Sequence, residues 1–229
     1  MQSSISIIIP VFNEELIIRE NIEHLNWINA SYYLLFVDGN STDSTINILE
    51  ENNFNVIKSP LTGRGGQISY GASNLNNESE YLLFLHIDTL LPKDFYNQMN
   101  EYMENYYWGF FRIKLNSNKL IFKIIQFMMN YRSQLTSIAT GDQAIFVRKN
   151  EFMNHIDTMI EHPIMEDIYV SKVFKEKFGN GAIIKKPVIT SVRYWQNKGP
   201  IKTILKMWKF RLLYFIGISP KYLYVKYYK

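Results

Sequence analysis

His86 and Asp88 stand where a buried strand would deliver them to an open edge. Residues 81–85 (YLLFL) form a continuous apolar run of strand length, the pattern of a strand covered on both faces. Pro92 forbids ladder pairing soon after. Side chains two apart on a strand point the same way, so the imidazole and the carboxylate face one crevice. Hard divalent cations choose carboxylate oxygens, and Mg²⁺ uses one or two of them beside water and substrate phosphates. Asp88 is therefore the best single metal ligand in the chain. Taken alone, it also suits a turn ahead of Pro92.

Other polar clusters end other apolar runs. Residues 5–11 (ISIIIPV) pass through Pro10 into Phe12-Asn13-Glu14-Glu15, and residues 32–37 (YYLLFV) end in Asp38-Gly39-Asn40-Ser41-Thr42-Asp43. Gly39 permits a tight turn, and Ser41 or Asp43 suits the N-cap of the next helix. Gly63-Arg64-Gly65-Gly66-Gln67 opens a helix, which places Arg64 in a glycine-flanked loop and Gln67 a turn later. Further along, Gly141-Asp142-Gln143 lies in a loop, and Glu166-Asp167 opens a helix, where paired carboxylates suit the helix dipole whatever their function.

The elements that must position these groups follow from periodicity. An amphipathic helix is predicted over residues 14–26 with Leu16, Ile17, Ile22 and Leu25 inward. Another is predicted over 43–52, a short strand over 55–58, and a helix from 63 to about 75. Strands and helices alternating with short connections imply a parallel sheet with right-handed crossovers. Three strands then release polar clusters at one edge, at Asn13 and Glu14, at Asp38 and at Asp88. Ligands bind at the carboxyl ends of the strands in such sheets, so this is the pattern of a nucleotide crevice. Beyond Pro92 the pattern loosens: helix 94–106, strand 109–115, an apolar helix 119–130, a loop then strand over 138–148, helix 161–178 and strand 182–192. No internal repeat or low-complexity linker divides the chain before residue 195, so residues 1–195 read as one domain and 196–229 as a tail.

With 229 residues, 47% hydrophobic, the chain can bury a real core. It has no cysteine, which excludes disulfides, thiolate nucleophiles and zinc–thiolate sites. No run approaches the ~18 apolar residues of a membrane span, and the first ten residues lack the basic region of a signal peptide. A cytoplasmic address is the default. The net charge of +4 hides an asymmetry: residues 1–176 hold 13 Lys and Arg against 21 acids, and residues 177–229 hold 12 with no acid at all. In the tail, Gly199-Pro200 starts a helix and Gly217 with Pro220 ends it. Ile201, Ile204, Leu205, Trp208, Leu212 and Phe215 fall at helical spacing, with Lys202, Lys206 and Lys209 among them. Such a helix either packs on the body with a solvated basic face or lies against anionic lipid as a peripheral membrane element on the inner face. Nucleic acid is disfavoured, because no recognised binding motif accompanies the charge.

Five segments occur in an order that carries a resemblance: PVFNEE at 10–15, VDGNSTDST at 37–45, FLHIDT at 84–89, TGDQAIFVR at 140–148 and MEDIYVSKVF at 165–174. From residue 5 to about 195 the chain resembles small bacterial family 2 glycosyltransferases. A dehydrogenase is disfavoured by the absence of G-x-G-x-x-G after the first strand, and a P-loop enzyme by the absence of its motif. The resemblance implies a GT-A fold, Rossmann-like α/β with a mixed, mainly parallel sheet, here followed by the amphipathic C-terminal helix. It implies metal-dependent transfer from a nucleotide-diphospho-sugar to an acceptor hydroxyl, with a divalent cation, Mg²⁺ or Mn²⁺, shielding the leaving diphosphate. Asp88 matches the last aspartate of the family's Asp-x-Asp; the first is replaced by His86, assigned to substrate contact, with metal ligation or simple packing and hydrogen bonding as the alternatives. Asp38 matches the base-binding aspartate; Pro10, Asn13 and Glu14 match the base and ribose wall. Arg64 and Gln67 are assigned to the donor, Asp142 to the donor sugar and acceptor, and Arg193, with Trp195, to a reduced Arg-Trp motif near the diphosphate. Asp167 matches the general base with Glu166 in support, and an inverting single displacement follows. The acceptor is unidentified, and the basic tail suggests a lipid-linked one. The rival readings are a non-catalytic nucleotide-sugar-binding or scaffold protein and a nucleotidyltransferase on a related fold.

Overall fold

The computed structural model describes residues 4–228. Its centre is β1 (Ile5–Val11), whose β-branched residues are buried on both faces of a sheet. β2 (Tyr33–Asp38) and β4 (Tyr81–Phe84) flank it in parallel, so that Ile8 stands between Leu35 and Phe84. β3 (Asn55–Lys58) extends the parallel half beyond β2. On the other side β7 (Ile145–Arg148) runs antiparallel to β4 and to β6 (Trp108–Leu115). β8 (Ala182–Thr190) lies parallel to β6, and the two-residue β5 (Thr89–Leu90) closes the order β3-β2-β1-β4-β7-β6-β8-β5. The sheet is mixed and mostly parallel, as the strand spacing and the resemblance imply.

Alternation along the strands sends side chains into two cores. Ile7, Ile9, Leu34, Phe36 and Leu83 join one cluster with α1 (Glu15–Asn29) and α4 (Phe95–Met103). Ile8, Leu35, Val37, Leu82 and Phe84 join the other with α3 (Gly63–Ser73) and α8 (Glu166–Phe178). In α1 the inward stripe is Ile17, Ile18, Leu25 and Ile28, and Ile22 packs against it partly buried. Leu16, expected inward, is 62% exposed. The helix begins at Glu15, and Ile18 takes the core position one residue further on. α2 (Thr45–Glu51) begins as expected after Asp43, whose carboxylate accepts the Thr45 amide at 2.9 Å.

The second half contains short elements that periodicity does not reveal: α6 (Lys149–Met153), α7 (Ile156–Ile160) and α9 (Arg193–Lys198). α5 (Leu120–Thr136) runs longer than expected. The tail forms α10 (Pro200–Phe215) and a second helix, α11 (Pro220–Tyr228), where only a mixed aromatic and basic segment was foreseen. Ile204 and Met207 pack this pair against the core, Phe210 is buried edge-on to Tyr227 of α11, and Lys206 donates to the Tyr227 carbonyl at 2.9 Å. Even so, α10 turns Ile201, Leu205, Trp208, Leu212 and Phe215 outward, each 59–67% exposed. α5 does the same with Leu120, Ile124, Phe127, Met128, Tyr131 and Leu135, each 50–72% exposed. Among the described residues no helix is long and apolar enough to cross a membrane.

Candidate active site

The chain leaves β4 beside the end of β1, where the Leu85 amide donates to Ile8 O at 3.0 Å. A turn closes from the Thr89 amide to His86 O, and Ser191, just past β8, donates to Asp88 O at 3.2 Å. Residues 86–88 are thus held from both sides. Opposite them lies a single 3₁₀ turn, residues 141–143, fixed by a reciprocal capping box between Thr140 and Gln143. Asp142 Oδ1 lies 3.2 Å from His86 Nδ1. One ligand atom each from His86, Asp88 and Asp142 lies within 4.8 Å of the others. Glycine is required at 141, because a Cβ there would fall 2.2 Å from His86 Nε2.

Two carboxylates with an imidazole fit a divalent cation, and the carboxylates suit Mg²⁺ or Mn²⁺. The electrostatics agree with that fit. Burial and then the Asp142 charge raise the Asp88 carboxyl above its ordinary pKa, against His86 and Arg64. Burial also works to raise Asp142, but the His86 hydrogen bond and the charges of His86, Arg64 and Arg211 outweigh it and hold that carboxyl low. Two carboxylates that repel each other at close range are relieved by a cation between them.

α8 begins where Met165 adopts φ +65°. Glu166 is buried, and burial together with the Asp167 charge pushes its carboxyl up to about 7. Asp167 Oδ2 accepts the Gly141 amide at 2.9 Å, and Oδ1 accepts the Ile168 amide at 2.7 Å. The acid of α8 is therefore fastened to the same turn that carries Asp142. Loss of water works against the Arg64 charge, but Glu166, Tyr228, Asp142 and Asp88 override it and hold its pKa above the ordinary value. Gly65 makes that approach possible, since a Cβ there would fall 2.1 Å from His162 O.

At the ends of β1 and β2 the polar residues bind one another. Asp38 is wholly buried and accepts the amides of Asn40 and Ser41 at 2.9 and 3.1 Å. Asn13, at φ +55°, accepts the Thr42 amide at 2.8 Å and donates its own amide to Ser41 Oγ. Both Val11 O and Val37 O accept from the buried Gln67 amide, at 2.9 and 2.7 Å, which ties the two strand ends together. Glu14 is raised by burial and by Asp88, with Arg193 4.0 Å away on its other side. Pro10 lines a small cavity with His86, Gly141, Glu166 and Asp167.

The structure thus gathers Pro10, Glu14, Arg64, His86, Asp88, Asp142, Glu166, Asp167 and Arg193 into one neighbourhood. Asn13, Asp38 and Gln67 shape its rim through bonds to the protein. Sequence reasoning named Asp88 as the metal ligand, left His86 between substrate, metal and packing, and gave Asp142 to substrate; the fold sets all three together. It did not name Arg132, Arg211, Tyr214 or Tyr228. Arg132 had one signal, as the sole charged residue between Lys123 and Asp142. The other three lie in the tail, and only the fold brings them here.

A parallel half ending in a carboxylate cluster, joined through the antiparallel β7 to the rest of a mixed sheet, is the GT-A architecture. Residues 6–155 match the model of glycosyl transferase family 2, and the chain belongs to that family. Over 86 residues it is 37% identical to a Methanococcus voltae dolichyl N-acetylglucosaminyl phosphate diacetamidodideoxyglucuronosyltransferase, covering 32% of this chain and 26% of that one. Its fold matches Staphylococcus aureus TarS residues 1–349 in complex with UDP-GlcNAc, with TM-score 0.62 and 17% identity, covering 83% of this chain and 58% of that one. It also matches Mycobacterium tuberculosis glucosyl-3-phosphoglycerate synthase with Mn²⁺, UDP and glucosyl-3-phosphoglycerate, with TM-score 0.55 and 14% identity, covering 82% and 71%. A Pyrobaculum calidifontis mannosyltransferase with GDP-Man and Mn²⁺ gives TM-score 0.58 and 15% identity, covering 83% and 57%. The chain spans about a quarter of the M. voltae relative and about three-fifths of the TarS chain.

Proposed function

We propose that this protein transfers a sugar from a nucleotide-diphospho-sugar to an acceptor hydroxyl, with inversion and with a divalent cation. The observation that carries the reading is the shared turn: the loop that presents Asp142 to Asp88 also donates its Gly141 amide to Asp167. Cation ligands and base are thereby held at a fixed separation, as an in-line displacement requires. Asp88 and Asp142 would hold Mg²⁺ or Mn²⁺, and His86 orients Asp142. When bound, the cation neutralises charge on the departing diphosphate. Arg64, whose charge faces Glu166, Asp142 and Asp88, would share that task. Asp167 takes the proton from the acceptor hydroxyl as its oxygen bonds the anomeric carbon from the face opposite the leaving nucleotide. Glu166, half-neutral near pH 7, spares Asp167 a second full negative charge at its side. Asp38, Asn13 and Glu14 form the wall for base and ribose, with Gln67 setting the spacing of the strand ends that carry them.

The acceptor is membrane-associated in this reading. The outward apolar stripes of α5 and α10 lie among lysines, in segments that contain no acid from residue 105 to 141 or from 177 to 229. An anionic bilayer complements such a surface, whereas a second copy would set two basic faces together. The division into a catalytic domain over 1–195 and a membrane-facing tail over 196–229 belongs to the same proposal.

A panel of UDP-, GDP-, dTDP- and CDP-sugars with and without Mn²⁺ tests the donor. One nucleotide class should raise the melting temperature, and only with metal. Asp167→Asn should then bind that donor and fail to transfer. Equal responses with and without metal, or transfer by Asp167→Asn, would overturn the reading. A scaffold protein that merely binds nucleotide sugars would have no transfer to lose.

A further inference from the structure

Arg112 and Lys185 have no part in the chemistry above, yet the sheet brings them to one groove. The register between β6 and β8 passes from Phe111 opposite Ile184 to Ile113 opposite Val188, so residues 185–187 all stand against Arg112. An irregularity of this kind re-aims side chains. Lys186 is paired with Asp94, 2.6 Å away. Lys185 and Pro187 instead join Arg112 in lining a groove of about 300 Å³, whose other wall is α5. Small-molecule sites begin at roughly that volume. The walls are held together by the backbone of β6 beyond Gly109, where its pairing with β7 ends. Asn130 of α5 accepts the Ile113 amide and donates to Ile113 O, both at 2.9 Å, and Gln126 Oε1 accepts the Leu115 amide at 2.9 Å.

No acid lines this groove. Neither Arg112 nor Lys185 is in an ion pair among the described residues. Arg112 Nη2 reaches only Gln134 Oε1, at 3.4 Å, and the Lys185 ammonium has no hydrogen bond among the described residues. The two stretches without acids, 105–141 and 177–229, meet at this pairing of strands. Like charges that share a groove repel, and an anion between them removes that cost. The planar fork of Arg112 suits phosphate oxygens, with Lys185 as a second point charge. Phe127 and Tyr131, stacked at 5.8 Å with their planes 10° apart, also line the groove. Both belong to the outward apolar stripe of α5. The charged groove therefore opens directly onto apolar surface. A free anion would use the two cations and leave the rings in water, whereas an anionic lipid uses both.

We infer that this groove is a headgroup site for an anionic phospholipid. Its phosphate lies between Arg112 and Lys185, and its glycerol and chains lie against Phe127, Tyr131 and the α5 stripe. The inference rests on the membrane-facing reading of α5 and adds to it a discrete site.

The test is calorimetric binding of dihexanoyl phosphatidylglycerol, dihexanoyl phosphatidylcholine and inorganic phosphate, with the lipids below their micelle concentrations. The proteins are the full chain, Arg112→Gln, Lys185→Gln and the double variant. The anionic lipid should bind the wild type about tenfold tighter or more than the other two probes, and each substitution should weaken it by a similar factor. Both side chains are exposed, so the variants should melt no lower than the wild type. Flotation at low salt with phosphatidylcholine vesicles, with and without phosphatidylglycerol, then compares the double variant with Lys202→Gln combined with Lys209→Gln, which removes the same charge from α10. The site predicts the larger loss for the groove pair. Equal losses would overturn it by reducing the attraction to a diffuse one. Inorganic phosphate bound as tightly as the anionic lipid, or lipid binding that survives the double substitution, also overturns it. A wild type that floats with anionic vesicles but binds no short-chain lipid overturns the site and leaves the membrane reading standing. A wild type that floats with no vesicle defeats the membrane reading and the site with it.

Discussion

At the scale of single residues, the site sets acids against one another, a repulsion that a cation would relieve. Asp88 is raised by burial and by Asp142, so removing its charge should stabilise the metal-free protein. Asp88→Asn should therefore melt higher than the wild type without metal, gain nothing from Mn²⁺, and lose transfer by at least about 100-fold. Glu166 predicts a pH dependence. Its carboxyl sits at about 7 in the folded protein against 4.5 for the ordinary group, so the folded state holds the extra proton between those values. Its contribution is fully present below about 4.5 and is lost as pH rises through 7. Glu166→Gln should accordingly raise stability at pH 8, on the order of 2 kcal/mol, and leave it nearly unchanged at pH 4.5. Urea melts at the two pH values would check this, and an equal gain at both would contradict it. Asp88, Asp142 and Asp167 were legible because each lies in a segment whose pattern already marks a strand or helix end. That Asp142 stands beside Asp88 was not legible, since 54 residues and an antiparallel crossing separate them.

Individual elements show what holds those residues in place. Gln67 opens a helix in the sequence and looks like a donor contact, but its amide group bridges the carbonyls of Val11 and Val37. Gln67→Leu takes a donor from Val37 O and from Val11 O, which keeps the Gly39 amide, and should cost about 1–3 kcal/mol in chemical denaturation. Weaker nucleotide binding should accompany it, because the ends of β1 and β2 would lose one of the bonds that hold them together. Apolar runs foretold β1, β2 and β4 nearly to the residue, because strands buried on both faces need little else. Leu16 was misplaced because the stripe centres between Ile17 and Ile18, and at ~100° per residue Leu16 falls on the opposite, exposed side. α6, α7, α9 and β5 escaped because elements of two to six residues carry no usable period; tertiary contacts make them.

For the whole molecule, the basic segments without acids carry two exposed apolar stripes, on α5 and on α10. The sequence offered two outcomes for the tail, packing on the body or facing lipid; the fold buries one face of the helix pair and leaves the other exposed. Phe210 and Leu223 pack inward, while Leu205, Trp208 and Leu212 point out. Leu205→Gln combined with Leu212→Gln should leave the melting temperature unchanged, since both side chains are already in water. Cosedimentation with anionic vesicles at low salt should fall about tenfold or more in that variant. Equal retention of variant and wild type would exclude the α10 stripe as the lipid contact. What α5 exposes was not legible in the sequence, where residues 119–130 read only as a very apolar helix with no face assigned. Only the fold shows that Phe122 and Ile125 face in and that Phe127 and Leu135 face out.

The account depends on a cation held between β4 and the 141–143 turn. Anomalous diffraction at the manganese edge, from crystals grown with Mn²⁺ and the nucleotide diphosphate that the donor panel selects, tests it most directly. The account predicts one peak within coordination distance of Asp88 and Asp142, with diphosphate oxygens completing the shell. A peak elsewhere, or nucleotide bound with no peak at these two carboxylates, would contradict it.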